Sequence, residues 1–154
     1  MRTAATCSLT HCVALVSKEL LMADNVVTRL EVKSHDSPDE RRTPDKTTVD
    51  LNTLGDYTVG RFRFEPGWRW SECIKPVVHT DSCQVNHVGY CISGSLEVTT
   101  NDGATATVTA GDSYAIPPGH DAHVVGNEPF IGLELVGGPD YAKHDEHLQR
   151  PRLR

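Results

Sequence analysis

The chain has 154 residues, 38% of them hydrophobic, with a formal charge of -6 and a pI of about 5.7. That length bounds it to one domain with a modest core. It carries no Lys/Arg run to track a phosphate backbone and no apolar window long enough to span a bilayer, which excludes nucleic-acid binding and a membrane-spanning helix.

Five cysteines, Cys7, Cys12, Cys73, Cys83 and Cys91, are odd in number and irregularly spaced, without a Cys-x-x-Cys pair. This argues against a disulfide framework and for reduced thiols in a cytoplasmic protein. Residues 1–21 read as a disordered or short helical extension, because Lys18 and Glu19 interrupt the apolar run at Val13–Val16 too early for a secretory segment. Met22 opens Met-Ala-Asp, an alternative start, so the residues before it are expected to be dispensable. Ser34 to Thr48 is charged, contains Pro38 and Pro44, and cannot form a core alone. Two readings stand for it: a solvated arm, or an arm that covers the edge of its own barrel or a neighbour's.

From Val49 the pattern becomes β. Tyr57 to Phe64 is predicted as a strand with Phe62 and Phe64 on one face. Glu65-Pro66-Gly67 is a turn, and period two from Trp68 to Glu72 places Trp68, Trp70 and Glu72 together. Pro76 marks an edge or bend. Ser82 to Ile92 is a strand or bulged pair, Ser95 to Thr99 follows the Gly94 turn, and Asn101-Asp102-Gly103 signals a hairpin. Ala104 to Ala110 alternates alanine or valine with threonine, and Ser113 to Ile116 is a short strand ended by Pro117 and Pro118, which lack an N–H. His123 to Val125 and Ile131 to Val136 are the last strands, with Ile131, Leu133 and Leu135 expected to face in. Short strands evenly punctuated by turns argue for a β-barrel or sandwich.

Gly111, five residues, Pro117, any residue, Gly119: this order closely resembles the second motif of the cupins, small antiparallel jelly-roll barrels that commonly hold a metal. The first cupin motif reads His-any-His, three or four residues, Glu, six residues, Gly. Anchored on Gly94, it places His87 at the Glu position and the histidine pair on Asp81 and Cys83, or one residue earlier; the second-motif histidine falls on Ala122. The resemblance covers about Tyr57 to Val136 and is similar in detail to small bacterial members sharing Pro-Gly-Trp-Arg-Trp-Ser-Glu and Ile-Pro-Pro-Gly-His-Asp-Ala. It implies an all-β fold, a single cupin-type jelly roll over 49–137, with an extension and arm over 1–48 and a polar tail over 138–154.

Asp81, Cys83 and His87 differ by even numbers, so in one unbroken strand they share a face, and in the cupin pattern that face points inward. His120 precedes Ala122 by two and reaches the same cavity from the rim. Cys83, His87 and His120 would then give a metal one thiolate and two imidazoles with an open position, a set that suits zinc, iron(II) or nickel better than magnesium or calcium. The competing reading is a packed cluster of a buried cysteine and hydrogen-bonded histidines. Glu72 and Asp81 are the candidate catalytic or ligand-orienting carboxylates, and Trp68 and Trp70 the candidate walls of a substrate pocket. Asp121 is expected to cap the corner, and His123, of opposite parity to His120, to point outward. Two functions follow: a metal-dependent enzyme acting on a small organic molecule (oxygenase, isomerase or hydrolase), or a module that binds or senses a small ligand without turnover. The resemblance also implies a homodimer.

Overall fold

The computed structural model describes residues 27–136. The chain divides into two compact units, Met1–Leu30 and Glu31–Arg154, and every element below belongs to the second. The expectations for residues 1–21 and for the tail, with Cys7 and Cys12, lie outside the described residues.

Among the described residues, nine strands form two sheets. They are β1 (Glu40–Arg42), β2 (Thr47–Leu54), β3 (Tyr57–Phe64), β4 (His87–Ser93), β5 (Ser95–Thr100), β6 (Thr105–Thr109), β7 (Ser113–Ile116), β8 (His120–Val124) and β9 (Phe130–Val136). The larger sheet runs β1-β2-β3-β9-β4-β7 and the smaller β6-β5-β8. Every strand pair within them is antiparallel, in keeping with the all-β fold read from the sequence. Gly94 turns β4 into β5 at φ 76°, and a Cβ there would lie 2.3 Å from the Pro129 carbonyl oxygen, so the position demands glycine on both counts.

The space between the sheets is filled by aromatic rings. Phe64 stacks on Trp68 with centroids 4.0 Å apart and on Phe130 at 5.8 Å, and the Trp68 Nε1–H donates to Thr47 Oγ1 at 2.8 Å. Burying each such side chain contributes about 1.5–3 kcal/mol.

The charged segment before Val49 covers its own sheet. β1 pairs with β2, so the sheet begins before position 49. Asp50 lies opposite both Arg41 of β1 and Arg61 of β3. Its carboxylate accepts from Arg41 Nε at 2.5 Å and from Arg61 Nη2 at 2.9 Å, while Arg61 also reaches the His35 carbonyl and Asp36. β2 is consequently buried on both faces from Val49 to Asn52.

Two expectations are corrected. Trp68 to Glu72 is not a strand: Arg69 is extended and bridges to His123, and then Trp70–Cys73 (α1) and Lys75–Val78 (α2) form two single-turn helices. Pro76 sits in the first turn of α2, where its missing N–H costs nothing. Asp121 Oδ1 accepts the Ser71 N–H at 3.2 Å, which caps the start of α1. In β9 the parity is reversed. Phe130, Gly132 and Glu134 face in, whereas Leu135 is 65% exposed and Ile131 and Leu133 are half-buried on the outer face. That outer face continues onto Val88, Tyr90 and Ile92 of β4, all exposed.

Candidate metal centre

The local chain path brings three donors to one end of the barrel. Pro117 and Pro118 end β7, Gly119 reverses the chain at φ 86°, and His120 opens β8. Cys83 is anchored there by an isolated bridge: its N–H donates to the His120 carbonyl at 2.8 Å, and its own carbonyl accepts from Gly119 N at 2.7 Å. His87 is the first residue of β4 and faces inward. Cys83 and His87 share a face, but not along one strand, because residues 84–86 between them are irregular.

Cys83 Sγ lies 3.6 Å from His87 Nε2, and the donor atoms of Cys83, His87 and His120 all fall within 4.8 Å of one another. All three residues are buried. A tetrahedral zinc with Zn–S about 2.3 Å and Zn–N about 2.0–2.1 Å separates sulfur from nitrogen by about 3.6 Å, so the spacing fits an ion. The other nitrogen of each ring is occupied. His87 Nδ1–H donates to Glu134 Oε2 at 2.7 Å, and His120 Nδ1–H donates to the Pro117 carbonyl at 2.6 Å. Both contacts leave Nε2 toward the cluster, the arrangement that metal-binding histidines use.

Electrostatics follow from these contacts. Burial raises the Cys83 thiol, but hydrogen bonds with His120 and His87 outweigh it and bring the thiol down to about 7. Burial lowers His87, but its bonds to Cys83 and Glu134 lift it to about 9. Both shifts run toward a thiolate paired with an imidazolium, each group favouring the charged form of the other. Tyr114 donates its hydroxyl to Glu134 Oε1 at 3.0 Å; burial, then the Glu134 charge, push its phenol far above the usual range, so it stays a donor.

A cavity of about 20 Å³ adjoins the cluster, lined by His87, His120, Trp68, Trp70, Tyr114 and Glu134 among others. It has room for about one water. Trp68 and Trp70 do line it, but as tightly packed core rather than as walls of a roomy pocket.

The carboxylates expected to face the cavity do not. Glu72 has a 69% exposed side chain, its nearest charge Arg69 at 3.9 Å, because the chain turns helical at Trp70 and period two no longer applies. Asp81 is fully exposed and pairs with Lys75 at 3.4 Å, because it sits in a bend rather than a strand. His123 lies on the opposite face of β8 from His120, 3.9 Å from Glu97. Ala122 faces inward where the family pattern has histidine. The residue missed was Glu134, a lone charge in an apolar strand. Its shared parity with Phe130 was the available signal, since the largest ring of a strand seeks the core.

Residues 60–135 match the family model described as a cupin domain. A search of curated proteins found no match. Among solved structures, a protein of unknown function from Rhizobium leguminosarum bv. viciae 3841 is 22% identical with a TM-score of 0.52, covering 71% of this chain and 97% of its own. KdgF from Halomonas sp. is 15% identical with a TM-score of 0.50, covering 78% and 99%. An uncharacterised Klebsiella pneumoniae protein with a double-stranded beta-helix domain is 23% identical with a TM-score of 0.48, covering 73% and 94%. At these identities the first two likenesses speak for the fold alone.

Proposed function

For a chain whose residues 60–135 are a cupin domain, we propose that Cys83, His87 and His120 hold a divalent transition metal, with the fourth position open to one small ligand. The observation that carries this is the 3.6 Å spacing of Cys83 Sγ and His87 Nε2, together with the second partners that turn both imidazoles toward the cluster. One thiolate with two imidazoles favours zinc, iron(II) or nickel. When bound, such an ion supplies a Lewis-acid position where water or a small molecule can exchange.

The reading supported best is a ligand-binding or sensing module. Among the described residues Glu134 is the sole carboxylate lining the cavity, and both its oxygens are engaged, which leaves no free general base beside the open position. The enzyme reading, an oxygenase, isomerase or hydrolase acting on a small organic molecule, rests on that open position alone. A homodimer is supported by the apolar outer face of β4 and β9, and a cytoplasmic setting by the unpaired thiols of Cys73, Cys83 and Cys91.

Elemental analysis of untagged protein supplied with zinc, iron or nickel tests the metal. The wild type should carry about one ion per chain. His87→Ala should lose most of it, and His123→Ala, on the opposite face, should retain it. A wild type without stoichiometric metal would reduce the cluster to packing.

A further inference from the structure

Glu134 is a carboxylate buried in this core. It is 5% exposed, and a carboxylate taken from water is tolerated only when its oxygens are held. Oε2 accepts from His87 Nδ1 and Oε1 from the Tyr114 hydroxyl. The register explains how the tyrosine arrives. Gly89 of β4 is paired with Tyr114 of β7 on one side and with Glu134 of β9 on the other, so the three lie in one row across neighbouring strands. Any side chain in the middle would block the reach. A Cβ at Gly89 would lie 2.6 Å from Tyr114 Oη and one at Gly132 2.7 Å from it. His87 stands two residues before Gly89, on the same inward face.

We infer that this row is a positioning device for the site: Tyr114 reaches across Gly89 to hold Glu134, and Glu134 holds the His87 ring so that Nε2 faces the ion. Tyr114 and Glu134 are thus positioning residues that act through His87, and the inference rests on the metal reading above. Two physical consequences follow. The ring loses its rotational freedom before an ion arrives, so less ordering opposes binding. The buried charges also balance: the Cys83 thiolate and the Glu134 carboxylate together match a divalent ion in a site that excludes bulk water.

The test is a Co²⁺ titration of the full chain, read by competition for affinity and by the thiolate-to-cobalt charge-transfer band for Cys83 ligation. Glu134→Gln keeps the shape and removes the charge; Tyr114→Phe keeps the ring and removes the donor. Both should weaken Co²⁺ binding, Glu134→Gln by about 10- to 100-fold and Tyr114→Phe by less, with the charge-transfer band retained at saturation. A role limited to packing would lower the melting temperature and leave affinity unmoved. If Glu134→Gln does not fold, Tyr114→Phe decides alone. If the wild type binds Co²⁺ and the folded variants stay within about threefold of it, the positioning role is wrong and the metal site stands. If the wild type binds no Co²⁺, the metal reading falls and takes the positioning role with it.

Discussion

Replacing Gly89 with alanine perturbs the row at its centre. The new Cβ would lie 2.5 Å from the Leu133 carbonyl oxygen and 2.6 Å from the Tyr114 hydroxyl. The first contact is with the backbone of β9, which cannot shift without moving a central strand, and overpacking of this kind costs about 1–3 kcal/mol. The second displaces the phenol from Glu134 and leaves a buried carboxylate oxygen without its donor, at about 1–3 kcal/mol more. A total of about 4 kcal/mol corresponds to a fall in melting temperature of about 8–16 °C for a chain of this size. Tyr114→Phe removes the same hydrogen bond by another route. The double variant can lose that bond only once, so its destabilisation should fall short of the sum of the singles by about 1–3 kcal/mol. Urea unfolding of the four proteins measures the cycle. Single costs that add to within about 0.5 kcal/mol would mean that position 89 and the Tyr114 hydroxyl do not meet, and the row would be refuted.

Acid should loosen the arm. Burial raises the Asp50 carboxyl, but hydrogen bonds from Arg41 and Arg61 outweigh it and hold it below the usual range. A folded value below the unfolded value of about 3.9 means that its contribution is complete above that pH and is lost as pH falls through the folded value. Urea midpoints of the wild type should therefore drop steeply below about pH 4, and Asp50→Asn should flatten that drop; parallel curves would rule the ion pair out as the source. Light scattering should find about twice the 16.9 kDa chain mass, given the apolar outer face on β4 and β9. A clean monomer at micromolar concentration would dismiss that face as an interface.

Much of the fold was legible because its signals are local. Gly111 announces the β6–β7 turn, Pro117 and Gly119 announce the β7–β8 corner from their own backbone restrictions, and Asn101-Asp102-Gly103 announces the β5–β6 hairpin in the same way. The strands predicted by period two at Tyr57 to Phe64 and by flanking turn residues at Ser113 to Ile116 stand where expected. The Cys83, His87 and His120 cluster was also legible, although parity along one strand was not what joined it. A backbone bridge from Cys83 to His120 does that, and only the folded chain contains it.

What the sequence by itself determined is where the chain must turn and which segments alternate, because glycine, proline and side-chain period act within a few residues. The tertiary structure alone decided which side of each strand faces in. For β9, pairing with β3 and β4 turned Phe130, Gly132 and Glu134 inward, against the apolar count of Ile131, Leu133 and Leu135. It also decided that Glu72 and Asp81 stand in water while Glu134 reaches His87, because α1 and the bend at Asp81 break the alternation that had grouped them. Alternation says that neighbours oppose one another; which one is buried depends on partners tens of residues away, whose hydrogen bonds no local pattern encodes.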